Sequence, residues 1–317
     1  MYHIDESFYE PEERDGFLVT SKRKRVWAKE LEILFDFDRV CKKYGLKYRL
    51  NGGSLIGAIR HGGFIPWDDD LDVDMTREDY EIARRVMPEE LGEEFEWQDL
   101  STNLAKCSFD SITVYHRLPF AKVRNRNTTA IEPPPMPSCI NQGIWMDIFP
   151  LDDALDDKKF TKEMLEMEKE LYVTILGAPE IQEYMLSDAC NTVFPKADLR
   201  GIMQLPHASR YEIYEKTLIS FIGTSTKYSI KYCEILGGLH QVIDKELYEE
   251  VTEVPFEGFM VPVPVHYHEV LTHVFGDYMT PVRSGEHSAI FNPDVSYIDY
   301  FKNPIKYTDM IKLGADD

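Results

Sequence analysis

Residues 51–75 read Asn51-Gly-Gly-Ser-Leu-Ile-Gly-Ala-Ile-Arg-His-Gly-Gly-Phe-Ile-Pro-Trp-Asp-Asp-Asp-Leu-Asp-Val-Asp-Met75, a small-residue turn opening a helix and then carboxylates alternating along a strand. Gly52 and Gly53 permit close backbone approach, and the free N–H groups and dipole of a helix beginning near Ser54 favour an anion. The strand period of two sends Asp70, Asp72 and Asp74 to one face and Leu71 and Val73 to the other. Carboxylate oxygens on adjacent same-face positions suit Mg²⁺ or Mn²⁺, which complete their shells with water and substrate phosphate. The stretch therefore reads as a phosphate cradle beside a divalent-metal site. Acidic runs are usually solvated and a lone Gly-Gly-Ser is usually only a turn. Pro66 and Trp67 ahead of this run, with Leu71, Val73 and Met75 inside it, are not the composition of a solvated tail.

The surroundings of this segment set the class of protein. At 317 residues the chain can bury a substantial core as one large domain or two smaller ones. Cys41, Cys107, Cys139, Cys190 and Cys233 are odd in number and lack close metal-type spacing, which fits reduced thiols in a cytoplasmic protein and argues against zinc. No basic leader precedes an apolar run, and no run is long enough to span a bilayer. Thirty-five basic against 56 acidic residues give a net charge of −21, which opposes binding to nucleic-acid polymers or anionic lipid. Any nucleotide is then expected as a small ligand held by a local basic pocket and a metal.

Along the chain, residues 1–20 form a loose arm or docking segment. From Ser21 to Tyr44, Trp27, Leu31, Leu34, Phe37 or Asp38, and Cys41 recur at helical spacing, and Gly45 can end that helix. A strand over 46–50 leads into the glycine turn. Thr76 caps a helix running to about Val86, before Pro88. Residues 112–115 and 118–124 read as paired strands, the second placing Lys122 and Arg124 on one face. The prolines of 133–137 make a stiff connection, and 143–149 form another strand that Pro150 closes. From 153 to about 250 the pattern is helical and charge-rich, clearest over 160–173 and 211–236.

The acidic segment resembles the LicD family of phosphocholine transferases, which includes the fukutin-related sugar-chain phosphotransferases and sits in the nucleotidyltransferase superfamily. Further blocks carry the same resemblance. These are Phe120-Ala-Lys-Val-Arg-Asn-Arg-Asn-Thr-Thr-Ala-Ile-Glu132, Gly143-Ile-Trp-Met-Asp-Ile-Phe-Pro-Leu-Asp152, Phe256-Glu-Gly-Phe-Met-Val-Pro-Val-Pro264 and Leu271-Thr-His-Val-Phe-Gly-Asp-Tyr-Met279, with His287 beyond. The implied architecture is α/β or α+β, a nucleotidyltransferase-like mixed sheet flanked by helices. An arm (1–20) would precede a core (21–155), a helical acceptor-side insertion (156–250) and a C-terminal segment (251–317) returning to the core.

The resemblance implies metal-assisted transfer of a phospho-alcohol, phosphocholine foremost, from a CDP-activated donor (CDP-choline first) to a glycan or lipid-linked glycan, with release of CMP. Asp70 and Asp72 take the paired carboxylate positions, Asp147 the third, and Asp68 a secondary one. Among mostly apolar neighbours, an ionised Asp147 needs a charged partner such as a metal, and it is placed to accept the acceptor's proton. A salt bridge or strand-end cap is its alternative. Arg60 and His61 match an Arg-His pair that would touch phosphate, or else serve the helix dipole. Lys122 and Arg124 would neutralise pyrophosphate, and Asn127 and Thr128 would complete that pocket or only shape a turn. Trp67 and Trp145 are possible faces for a quaternary ammonium, although aromatics so placed are more often core. Two rival functions remain: nucleotidyl transfer to a sugar, small molecule or protein, and a non-catalytic glycan- or nucleotide-binding subunit. Peripheral contact with a membrane or with assembly enzymes stays open.

Overall fold

The computed structural model describes residues 3–106, 119–133, 135–154, 158–177, 179–225, 227–231, 242–283, 289–307 and 309–313. A hairpin of β1 (Glu12–Arg14) and β2 (Phe17–Val19) leads into α1 (Ser21–Tyr44). Thr20 caps this helix by accepting the Arg23 N–H, and Gly45 ends it in the left-handed region at φ 68°. Next come β3 (Arg49–Leu50), α2 (Gly52–His61), β4 (Asp72–Thr76), α3 (Arg77–Glu90), β5 (Phe95–Gln98), α4 (Leu100–Lys106), β6 (Ala121–Asn125), β7 (Thr129–Ile131) and β8 (Trp145–Asp153). A helical run follows with α5 (Lys158–Leu176), α6 (Pro179–Leu186), α7 (Lys196–Met203) and α8 (His207–Ile219). The chain continues through β9 (Tyr228–Ile230), β10 (Val242–Asp244), α9 (Glu246–Glu249), β11 (Val251–Phe256), β12 (Phe259–Pro264) and α10 (Tyr267–Phe275). It closes with β13 (Ile290–Asn292), α11 (Tyr297–Lys302) and β14 (Ile311–Lys312).

The expected α+β architecture with a mixed sheet is what forms. Seven strands run in the order β10-β9-β8-β4-β3, with β6 on β8 and β5 on β6. β4 and β8 are parallel, and the other pairings of this sheet are antiparallel. β8 gives one edge to β4 and shares the other between β6, at residues 145–148, and β9, at residues 152–153. That division curls the sheet around β8. The apolar stripe of α1 packs on it through Trp27, Leu31, Leu34, Phe37 and Cys41, all buried. Each such side chain withdrawn from water contributes roughly 1.5–3 kcal/mol. Trp27 also stacks on Phe64 with centroids 4.7 Å apart, fixing the loop after α2. A second core gathers Leu100, Leu165, Leu171, Ile175, Tyr211, Tyr214, Leu218 and Ile230. No helix among the described residues is long and apolar enough to cross a membrane.

Of the two readings of the N-terminal segment, docking is the one its described residues 3–20 follow: Phe17 and Val19 enter the main core, and Arg14 makes a two-pronged ion pair with Glu257 (2.5 and 2.8 Å). Several other local expectations are corrected. α3 passes through Pro88 to Glu90, because a proline near a helix end removes only one backbone hydrogen bond. β8 passes through Pro150, which lies between the register of β6, ending at Ile148, and that of β9, beginning at Asp152. The helix expected over 211–236 ends at Ile219, and Tyr228–Ile230 instead joins the sheet. Cys139 is disulfide-bonded while Cys41 and Cys190 are free, so the expectation of uniformly reduced thiols fails; pairing between distant cysteines leaves no mark in spacing. The strand expected over 112–115 lies outside the described residues.

Candidate active site

The amino end of α2, the start of β4 and the start of β8 converge. Asp72 and Asp147 are direct register partners on the parallel pair, which places their backbones about 4.8 Å apart. α2 is stitched to β4 at this point, since Ser54 Oγ accepts the Asp72 N–H (2.9 Å) and the Asn51 N–H donates to the Asp72 carbonyl (3.0 Å). Two carboxylates press against the first turn of α2. A Cβ at Gly52 would lie 3.4 Å from Asp72 Oδ2, and one at Gly53 only 2.5 Å from Asp68 Oδ2. A side chain at 53 would thus push the Asp68 carboxylate aside. From behind, the buried Trp27 indole (2.9 Å) and the Arg23 guanidinium (3.1 Å) donate to the Asp68 carbonyl, so α1 sets the path of the acidic run.

The site is crowded with negative charge. Burial, and then Asp70, Asp147 and Asp68, hold the Asp72 carboxyl well above its ordinary value. Burial also raises Asp147, to about 6, against the opposing pull of Lys122 and with a further push from Asp70. Lys122 is Asp147's register partner on β6 and brings Nζ to 3.0 Å from Oδ1 and 3.2 Å from Oδ2. Glu30, only 1% exposed on α1, is raised well above its usual value by burial and then by Asp70, Asp69, Asp68 and Asp72. Its Oε2 has no hydrogen-bond partner.

Such an arrangement favours a cation. Among the described residues no three His, Cys, Asp or Glu side chains stand at full metal-holding spacing. Magnesium, however, is commonly bound through one or two protein carboxylates with substrate phosphate completing the shell. Asp72, raised in part by Asp147, and Asp147 itself, with Asp70 close enough to raise both, fit that role. A phosphate at the amino end of α2 would meet Asp68 and Asp72 there, so it requires an accompanying cation.

Of the residues singled out in the sequence, Gly52, Gly53, Ser54, Asp68, Asp70, Asp72, Asp147 and Lys122 come together. Asp69 is buried beside them at 4% exposure. Asp74, which the strand period placed on the face of Asp70 and Asp72, is fully buried and paired with Lys231 at 3.2 Å. The strand begins at Asp72, so Asp74 falls in mid-sheet.

Arg60 and His61 lie at the opposite end of α2, about 12 Å along the axis. Arg60 donates to the Tyr278 carbonyl (2.5 Å), and His61 Nε2 pairs with Asp15 (2.8 Å). Arg124 is fully buried, donating to Gln98 (2.8 Å), the Gly143 carbonyl (2.8 Å) and Glu132 (2.9 Å). Thr128 Oγ1 donates to the Asn125 carbonyl and accepts the Ile144 N–H, and the Asn127 N–H donates to Asn125, so this pair shapes the turn after β6. The Trp145 face is taken by Lys122 (4.3 Å) and Arg124 (4.9 Å), and Trp67 packs against Phe17, His61 and Arg283. His287 lies outside the described residues.

Two further groups escaped the sequence reading. Glu30 left a signal, being a carboxylate three residues after Trp27 in the apolar stripe of α1. Lys231 left none, because it reaches Asp74 only through the β8–β9 pairing.

Comparison with known proteins accords with this geometry. The description "LicD/FKTN/FKRP, nucleotidyltransferase domain" matches residues 45–130. The chain is 31% identical over 258 residues to the lipopolysaccharide cholinephosphotransferase LicD of Haemophilus influenzae, covering 78% of this chain and 88% of that protein. It is 43% identical over 53 residues to the human ribitol 5-phosphate transferase FKRP, covering 17% of this chain and 11% of that protein.

Proposed function

The chain belongs to the LicD/FKTN/FKRP family, and from that premise we propose that it transfers a phospho-alcohol, phosphocholine foremost, from a CDP-activated donor to a hydroxyl of a cell-surface glycan or glycolipid precursor. The observation that carries the reading is the facing pair Asp72 and Asp147 at the amino end of α2. The names of the relatives support it: one is a cholinephosphotransferase and another a ribitol 5-phosphate transferase.

In this reaction the acceptor oxygen attacks the phosphorus that bears the alcohol, the P–O bond to CMP breaks, and the hydroxyl proton passes to Asp147. Without metal, burial holds this carboxyl up to about 6, more basic than an ordinary aspartate, which suits a group that accepts a proton. Lys122 orients Asp147 through its 3.0 Å contact. The free N–H groups of Gly52 and Gly53 at the first turn of α2 bind phosphate oxygens. A Mg²⁺ or Mn²⁺ ion held by Asp70, Asp72 and Asp147, with Asp68 behind, would when bound neutralise the charge of the pyrophosphate. The helical region 156–250 is the proposed acceptor side.

The test uses CDP-choline labelled separately in its cytidine and choline parts, with a glycan extract as acceptor. Choline label on the acceptor and cytidine label in free CMP are expected. Cytidine label retained on the acceptor would replace this reading with nucleotidyl transfer. Binding without turnover under all metal conditions would favour a non-catalytic subunit.

A further inference from the structure

A cavity of about 150 Å³ is lined in part by Asp72, and its lining joins two kinds of residue. The polar ones are Asn51 and Gly52 at the start of α2, Asp72 and Lys231. Lys231 is 3% exposed and reaches the cavity while paired with Asp74 and lying 5.7 Å over the Phe149 ring. The apolar ones include Leu271, Val274 and Phe275 of α10, which share one helical face. That face grades from Leu271 (1% exposed) to Phe275 (48% exposed).

Resting on the function proposed above, we infer that this cavity is the subsite for the transferred phospho-alcohol, and that its α10 wall selects a compact alcohol bearing a quaternary ammonium over a polyol. The polar residues take the phosphate, with Lys231 as its fixed protein cation in place of Lys122 and Arg124, which are committed to Asp147 and Glu132. Beyond the phosphate, a polyol would bring a hydroxyl on every carbon to a wall of aliphatic and aromatic carbon, and hydroxyls buried without partners are costly. A trimethylammonium group carries no N–H to satisfy and is attracted to aromatic faces. Phe275 and Tyr248 supply the rings.

The experiment titrates the full chain with phosphocholine, glycerol 3-phosphate and ribitol 5-phosphate by calorimetry, and measures turnover of CDP-choline and CDP-ribitol. Wild type is compared with Phe275→Ala and Val274→Thr, two changes outside the densest core. Phosphocholine is expected to bind tightest. Phe275→Ala should weaken it, and raise KM for CDP-choline, by about tenfold with kcat little changed. Val274→Thr, which adds one hydroxyl at constant shape, should narrow the preference over ribitol 5-phosphate. If wild type turns over CDP-choline but polyol phosphates bind as well as phosphocholine, or Phe275→Ala changes nothing, the subsite is refuted and the proposed function stands. If no CDP-alcohol is bound or turned over, both are refuted.

Discussion

Asp72 and Asp147 face each other across the one parallel strand pair that the described residues of the main sheet form, and Asp147 raises the affinity of Asp72 for a proton. A stable fold has no use for such a pair, since the repulsion between them opposes folding whenever both are ionised.

Asp72→Asn should therefore separate stability from activity. The change is nearly isosteric and removes one repelling charge, so the melting temperature without added metal should equal or exceed that of wild type. Turnover should fall by about 10²- to 10³-fold, the scale of losing one preorganised electrostatic group. Thermal melts and donor turnover on the same preparation check both halves, and a lower melting temperature with full turnover would refute the assignment.

In the metal-free protein the Asp147 carboxyl should take up its proton near pH 6, read from carboxyl chemical shifts in a pH titration. Lys122 draws that value down, so Lys122→Met should move the transition to higher pH. An unmoved transition would assign Lys122 to another task.

Glu168 offers a test away from the site. It is 2% exposed on α5, its Oε2 has no hydrogen-bond partner, and burial followed by Asp152 raises it from 4.5 to about 8. A carboxyl whose folded value lies above its unfolded one contributes stability that is complete below about 4.5 and is lost as pH rises through about 8. Glu168→Gln should match wild type at low pH and melt higher above pH 8. Parallel melting curves across pH 5 to 9 would contradict this.

Gly53→Ala places a Cβ 2.5 Å from Asp68 Oδ2, a contact the Asp68 side chain relieves by turning away while its backbone stays held. Little stability should be lost. Donor KM should rise as Asp68 is pushed off the first turn of α2, and calorimetric titration of the donor reads this directly.

What was legible in the sequence was local. α1 could be read along its length and to its end, because the three- and four-residue spacing of its apolar stripe and Gly45 act within one element. The acidic run announced its chemistry for the same reason. Arg60 and His61 matched a pattern yet are spent on Tyr278 and Asp15, partners supplied by segments far away in sequence. Trp145 had the right identity for a cation-binding face, but its cations are the protein's own Lys122 and Arg124. Lys231 and Phe275 became visible only when the sheet and α10 brought them to Asp72. Tertiary pairing decided each of these cases, and local composition carries no trace of it.

Glu257 sits in the β11–β12 turn at φ 49°, where a side chain is strained, and from there it receives Arg14 and the Phe64 N–H (3.0 Å) while its own N–H donates to the Gly62 carbonyl (2.8 Å). The exit of α2 is thus clamped by a residue made almost 200 positions later. On the ribosome, the glycine turn and acidic run emerge long before their clamp does. Closing so distant a contact is slow, so the nascent chain must carry Phe64 and its neighbours unsealed until β12 is released. That interval is when this protein would most need a chaperone.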